Sequence, residues 1–298
     1  MISIIIPFYN EEKNISLLHK ELSTVLVSHK YEYEIIFIDD GSDDSSKVEI
    51  ENILLGDKHV QLFIHRKIFG KGEALQTGLR HAKGDIIIFM DADLQDDPHD
   101  FPAFIAKMKE GYDFVNGVRV DRKDNIIIKT YSRIAKIFLN IFLRSPFTDI
   151  NCGFKGFRKE VLDEVVLYGN SFRFFPLAAH YKGFKVTEIP VHNRARRFGK
   201  SKFGISKLFT GIFDTVTAHF LYRFAEKPLH FFGAWGMIFF GTGFIITFYL
   251  AIERIFFDMP LYRRPLLQLG ILLIIVGIQV MMTGIIGELI VYMHKKKS

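Results

Sequence analysis

The chain has little of what marks several common classes of protein. Its 298 residues contain one cysteine, Cys152. A single thiol excludes an intrachain disulfide and any zinc cluster built on cysteines. No glycine fingerprint of the dinucleotide-binding type follows the first apolar run, and no phosphate-loop lysine motif occurs anywhere. Gly70-Lys71-Gly72 is too short to replace either, so an ordinary nicotinamide enzyme or ATPase is not the first reading. The opening MISIIIPFYNEE has no basic stretch and its apolar run stops at Pro7. It reads as a first strand and predicts no cleaved signal peptide.

What is present is unevenly spread. The mean hydropathy is +0.16, the formal net charge +6 and the isoelectric point about 9.2. A basic balance fits nucleic acid, anionic lipid or a phosphorylated substrate. The apolar residues concentrate at the end. Phe231 to Ile252 and Leu266 to Gly287 are each uncharged for 22 residues, and about 20 suffice to cross hydrocarbon. Glycines within them suit close helix packing in lipid, although Gly284 and Gly287 lack GxxxG spacing. Buried core helices of a soluble protein are the alternative. With two spans both ends share one side. Arg194 to Lys227 and the tail His294-Lys295-Lys296-Lys297 are basic, so the large domain is expected on the cytoplasmic side of an inner or plasma membrane. Two further stretches, Tyr131 to Arg144 and Ser206 to Phe224, combine aromatic or apolar with basic residues. Either could lie at the interface, and the first could equally pack on the core.

The first two hundred residues read as alternating strands and helices. Strands are expected over 3–8, 33–38, 60–65, 85–90 and 113–117, and helices over 14–27, 43–55, 72–82 and 102–110, with Ser42 or Asp43 capping the second. This succession predicts an α/β fold with a mostly parallel, Rossmann-like sheet. In such sheets ligands collect beyond the carboxyl ends of the strands. Three of those ends are polar here: Pro7 to Glu11, Asp39-Asp40-Gly41 and Asp91 to Asp96. If the last begins in extended geometry, Asp91 and Asp93 share a side. Two carboxylates plus substrate phosphates make a hard-oxygen site for Mg²⁺ or Mn²⁺. A solvated acidic loop is the plainer alternative.

SIIIPFYNEE, EIIFIDDGSDD, GKGEALQTGLRHAKGD and IIIFMDADLQDDP, in this order, resemble the family 2 glycosyltransferases of GT-A fold. The two terminal spans resemble the polyprenyl-phosphate branch, which includes dolichol-phosphate mannose synthase and bacterial undecaprenyl-phosphate glucosyltransferases. The resemblance covers about residues 1 to 225. It implies that Pro7, Tyr9 and Glu11 hold the nucleotide base and ribose, that Asp40 faces the base and that Lys71 orients the nucleotide. It assigns Asp91, Asp93 and Gln95 to the metal and diphosphate, and Arg119 and Arg133 to the donor and acceptor phosphates. Asp149-Ile-Asn-Cys-Gly-Phe-Lys155 resembles an acceptor-side motif that commonly ends in arginine, so Lys155 keeps the charge and loses the bidentate fork. Arg196, Ser201 and Lys202 match a basic closing loop that engages phosphate, although membrane-surface attraction alone also explains its charge.

The resemblance implies transfer of a hexose to a polyprenyl phosphate with inversion, UDP-glucose and undecaprenyl phosphate being favoured and GDP-mannose with dolichyl phosphate next. Asp149 either orients or deprotonates the acceptor, or holds structure. An inactive membrane scaffold of the same fold is the alternative from another class. A processive synthase is disfavoured, because no late Gln-x-x-Arg-Trp motif occurs and Trp235 sits in the first span. A homo-oligomer, a tetramer as in some relatives, is an expectation; nucleic acid is not an expected partner. The expected division is 1–205 catalytic, 206–230 juxtamembrane, 231–293 membrane and 294–298 basic tail.

Overall fold

The computed structural model describes residues 1–120, 145–165, 169–195, 217, 218, 220, 221, 224, 227–257, 260 and 264–297. The chain divides into two compact units, Met1–Thr215 and Val216–Ser298.

Among the described residues the first unit is built on a seven-stranded sheet. Its elements are β1 (Ile2–Phe8), α1 (Glu12–Ser28), β2 (Tyr33–Asp39), α2 (Ser46–Gly56), β3 (Val60–Ile64), α3 (Lys71–His81), β4 (Ile86–Phe89), α4 (Phe101–Lys109), β5 (Phe114–Val120), β6 (Lys155–Arg158), α5 (Val161–Glu164), α6 (Phe175–Tyr181) and β7 (Val186–His192). The isoleucine-rich β1 and β2 are buried along their whole length. β-Branched residues suit this position, between neighbours and under helices on the faces. The strand order is β3-β2-β1-β4-β6-β5-β7.

The sheet is mixed rather than simply parallel. β6 runs antiparallel to both β4 and β5, and the other pairs are parallel. Neither β6 nor β7 was legible in the sequence. β6 is four residues long. β7 contains Pro190, which a central strand excludes and an edge strand tolerates; β7 is the edge. The expected start of α2 also moves, from Asp43 to Ser46. Ser42 and Asp43 cap nothing, because they bond the turn after β1. Asn10 N donates to Ser42 Oγ at 3.0 Å, and Asp43 N donates to Asn10 Oδ1 at 3.0 Å.

In the second unit α7 (Pro228–Phe257) pairs with α8 (Pro265–Lys297). Both helices are long and apolar enough to cross a membrane, and only 17% of the most apolar window of each is covered by protein. Their contact is a seam of glycines spaced seven apart. A Cβ at Gly236 would lie 2.8 Å from Gly277 O, and one at Gly243 would lie 2.6 Å from Gly270 O. A seven-residue repeat keeps one stripe facing the partner helix along its length. Glu288 of α8 accepts a hydrogen bond from Leu229 N at 3.3 Å, which places a carboxylate at the amino end of α7, where helix dipole and free N–H groups favour it.

Candidate active site

The register of the sheet decides which residues meet. Phe8 lies beside Asp39, and Ile5 beside Phe89, so the chain leaves β1, β2 and β4 at one edge. The reversed β6 enters at that same edge, with Lys155 beside Phe89 on one side and Asn116 on the other. Residues just before β6 therefore face residues just after β4, a meeting that a purely parallel sheet would not produce.

Asp91 and Gly153 are that meeting. A Cβ on Gly153 would lie 2.5 Å from Asp91 Oδ2 and 2.9 Å from its Cγ. The missing side chain is the space in which the carboxylate sits. On the other oxygen, Oδ1, rests the ammonium of Lys71. Burial pushes the Asp91 carboxyl up; the Lys71 ammonium, with Arg119 and Lys155 further off, more than offsets this and holds it below the usual carboxylate range.

Asp91 and Asp93 do not lie in extended strand, as their spacing had predicted. β4 ends at Phe89, and residues 92–94 form a bend with Leu94 at φ +60°. Side chains of the cluster itself hold the bend. Asp93 Oδ1 accepts from Gln95 N at 3.1 Å, and Asp96 Oδ2 accepts from Asp91 N at 3.3 Å. Such local carboxylate bonds compete with the ladder and end strands. Burial, then the charges of Asp91 and Asp93, push the Asp96 carboxyl up to about 7. Gln95 turns its amide toward Arg194 O at 3.4 Å, while Arg194 N donates to Gln95 O at 2.8 Å. The Arg194 guanidinium reaches Asp97 at 2.6 Å and Glu21 at 2.5 Å. The start of the basic stretch is thus tied to the end of the acidic one.

A second cluster lies beside it. Arg119 grips Asp149 with a two-point fork, Nε to Oδ2 at 2.8 Å and Nη2 to Oδ1 at 2.9 Å. Burial disfavours the charged guanidinium, and the Asp149 carboxylate more than offsets it, so its pKa stays raised. With both oxygens on arginine, Asp149 is a poor proton acceptor and a good clamp. Glu188, on β7 opposite Asn116, holds the approach to Asp149. It accepts from Thr148 N at 3.0 Å, Thr148 Oγ1 at 2.7 Å and Asn116 Nδ2 at 3.2 Å. Neither Glu188 nor Asn116 was singled out from sequence, since only strand pairing brings them to this loop.

Lys155 requires a correction. Expected at an acceptor phosphate, it is 1% exposed. Its ammonium donates to Asn116 Oδ1 at 3.0 Å, Ile150 O at 3.0 Å and Cys152 O at 2.5 Å. An ammonium has three donors, and all three are spent inside, tying the 150–152 turn to the sheet. Burial lowers its pKa to about 8. The unfolded chain keeps its proton to about 10.5. Between those values the unfolded state binds more protons, so stability rises with pH. Chemical denaturation from pH 8 to 10.5 is expected to show a rise on the order of 3 kcal/mol in wild type beyond that in Lys155→Met; identical pH profiles would refute the buried charge. Burial, then Asp96, push the Cys152 thiol up to about 12, so it is no nucleophile at neutral pH.

Asp40 anchors the loop before α3, accepting from Phe69 N at 2.9 Å and Gly70 N at 2.8 Å and bonding His65 Nδ1 at 3.0 Å. Pro7 is buried in β1, with Tyr9 and Glu11 half-buried just beyond it at the edge. Glu11 N donates to Ser46 Oγ at 2.8 Å. Arg133, Arg196, Ser201 and Lys202 lie outside the described residues, as does most of 206–230.

The site suits a hard divalent cation. Asp91 already carries a cation, the Lys71 ammonium, and Asp93 stands two residues on. Among the described residues no three acidic, histidine or cysteine side chains converge on one point. The further oxygen ligands would then come from phosphate and water, the usual arrangement for Mg²⁺ and Mn²⁺.

Comparison with known proteins gives three findings. The family model described as "Glycosyl transferase family 2" matches residues 3–166, more than half of the chain. A Rhizobium johnstonii protein named dodecaprenyl-phosphate galacturonate synthase is 31% identical over 97% of this chain and 87% of that one. Glucosyl-3-phosphoglycerate synthase of Mycobacterium tuberculosis, solved with Mn²⁺, UDP-glucose and phosphoglyceric acid, superposes with a TM-score of 0.59 at 19% identity, over 74% of this chain and 79% of that chain. A second complex of that enzyme, with Mn²⁺, UDP and glucosyl-3-phosphoglycerate, gives 0.58 at 20% identity over the same shares. At these identities the superpositions establish the fold.

Proposed function

Since the chain belongs to glycosyl transferase family 2, we propose that it transfers a sugar from a nucleoside diphosphate sugar to the phosphate of a polyprenyl phosphate at a membrane. The observation that carries this reading is the relative named for a polyprenyl phosphate product, which aligns with 97% of the chain, beyond the family match at 3–166. Two helices of membrane-spanning length joined to a diphosphate-type acidic site agree with it. The helices cross an inner or plasma membrane, with the catalytic unit on its cytoplasmic side.

In the proposed reaction an oxygen of the lipid phosphate attacks the anomeric carbon of the sugar. The bond from that carbon to the nucleoside diphosphate breaks, its electron pair leaves with the diphosphate, and the configuration inverts. A phosphate monoester, with a second pKa near ~6, is already largely ionised at neutral pH. No strong base is needed, which agrees with an Asp149 committed to Arg119. The main work of the site is alignment and charge neutralisation. Asp91 and Asp93 would hold Mg²⁺ or Mn²⁺, which supplies charge neutralisation on the leaving diphosphate. Arg119, kept in one orientation by Asp149, supplies a fixed positive charge, and Arg133, Arg196, Ser201 and Lys202 take the acceptor phosphate.

UDP-glucose with undecaprenyl phosphate is the first donor and acceptor pair, and GDP-mannose with dolichyl phosphate the next. The name of the Rhizobium relative favours a uronate donor as a second reading. The test uses full-length protein in detergent, Mn²⁺ or Mg²⁺, undecaprenyl or dolichyl phosphate, and labelled UDP-glucose, UDP-galacturonate and GDP-mannose in turn. One donor is expected to yield a labelled lipid. No lipid product from any donor would favour a scaffold with a glycosyltransferase fold.

A further inference from the structure

Lys71 stands where a cation is expected. Its ammonium pairs with Asp91 Oδ1, while Asp91 Oδ2 is packed into the space over Gly153. A metal approaching Asp91 therefore meets the oxygen that Lys71 already holds. The pair is not sealed in. The two side chains are 31% and 35% exposed, and ion pairs open to water are weak enough to exchange. The backbone beneath Lys71 is held firmly by contrast. Gly70, at φ +96°, immediately precedes α3, and its N–H donates to the buried Asp40. Motion is thus left to the four-carbon side chain. The ring of Phe172, 5.3 Å from Nζ, lends the ammonium a second favourable surface. Lys71 is the first residue of α3, and a helix dipole favours a phosphate near such an amino end.

We propose that Lys71 is a tethered cation that competes with the divalent metal for Asp91, so that metal binds well only together with a nucleoside diphosphate, whose phosphate draws the ammonium away. The inference rests on the reading of Asp91 and Asp93 as metal ligands. It makes Lys71 a residue that serves two anions in turn, the Asp91 carboxylate before substrate and the diphosphate after. On this reading the nucleotide brings the negative charge that releases the Lys71 ammonium from Asp91 and opens that oxygen to the metal.

The test is Mn²⁺ binding to the full-length protein in detergent, read from the electron paramagnetic resonance of free Mn²⁺, alone and with UDP or GDP. Wild type is expected to bind Mn²⁺ weakly alone and at least roughly tenfold more tightly with nucleotide. In Lys71→Met the affinity without nucleotide rises by roughly tenfold, and the gain from nucleotide shrinks correspondingly. Lys71→Arg, which keeps the charge, should behave as wild type. Lys71→Gln asks the same question if the Met variant does not fold. If Lys71→Met binds Mn²⁺ no more tightly, while Asp93→Asn abolishes binding, the competition is refuted and the metal site stands. If no protein binds Mn²⁺ with or without nucleotide, the metal reading falls and the inference with it.

Discussion

Asp93→Asn is expected to lower the rate of sugar transfer on the order of 10³-fold while leaving the fold intact. The substitution is close to isosteric. Asp93 Oδ1 accepts a hydrogen bond from Gln95 N at 3.1 Å, and an asparagine carbonyl oxygen accepts the same bond, so the bend at 92–94 is retained. What is lost is one unit of negative charge. With no third protein carboxylate, histidine or cysteine converging there among the described residues, each of the two carboxylates carries a large share of metal affinity. A loss on the order of 10³-fold corresponds to about 4 kcal/mol of transition-state stabilisation, within reach of one preorganised charge. The measurement is the initial rate of labelled lipid formation across a Mn²⁺ titration, with circular dichroism and melting temperature as fold controls. A rate within a few fold of wild type would remove Asp93 from the catalytic machinery.

Gly153→Ala is the second large effect, expected near 10²-fold in rate with little change in melting temperature. The added methyl would sit 2.5 Å from Asp91 Oδ2 and 2.9 Å from its Cγ. The obstruction is the Asp91 carboxylate itself, so the contact is relieved only at the expense of the site. Either Asp91 turns out of its place or the chain before β6 retreats, by about 1 Å in each case. Displacement of that size at reacting groups costs roughly 10²-fold. The fold survives because the Asp91 side chain is partly exposed and its backbone position is set by β4 and the bond to Asp96. Paired measurements of rate and melting temperature separate this outcome from global damage. Unchanged transfer would show that Asp91 has another productive position.

The acidic cluster after β4 was legible because it is local, although its bend was not. A buried apolar run ending in Asp-Ala-Asp is written in consecutive residues, and so are the alternation of strands and helices and the two long apolar segments. The partners of those groups were not, because partnership is a property of sheet order. Gly153 stands 62 positions after Asp91 and meets it only because β6 is inserted backwards between β4 and β5. Glu188 reaches Thr148 and Asn116 through the pairing of β5 with β7. Lys155 carries the same charge as the arginine it replaces in the acceptor-side pattern, and charge alone gives no sign that the side chain points inward.

By itself, the order of residues determined the chemistry available to this protein. It set hard carboxylates at strand ends, basic groups in the middle of the chain, and two helices long and apolar enough to cross a membrane. These are matters of composition and short-range periodicity, and polarity and propensity act at that range. Tertiary structure decided how the groups are spent. Asp149 is occupied by Arg119, Asp40 by a loop, Lys155 by three buried acceptors and Asp91 by Lys71 on one side and the void over Gly153 on the other. A charged group buried or half-buried must find a partner, and which partner it finds depends on which strands lie next to each other.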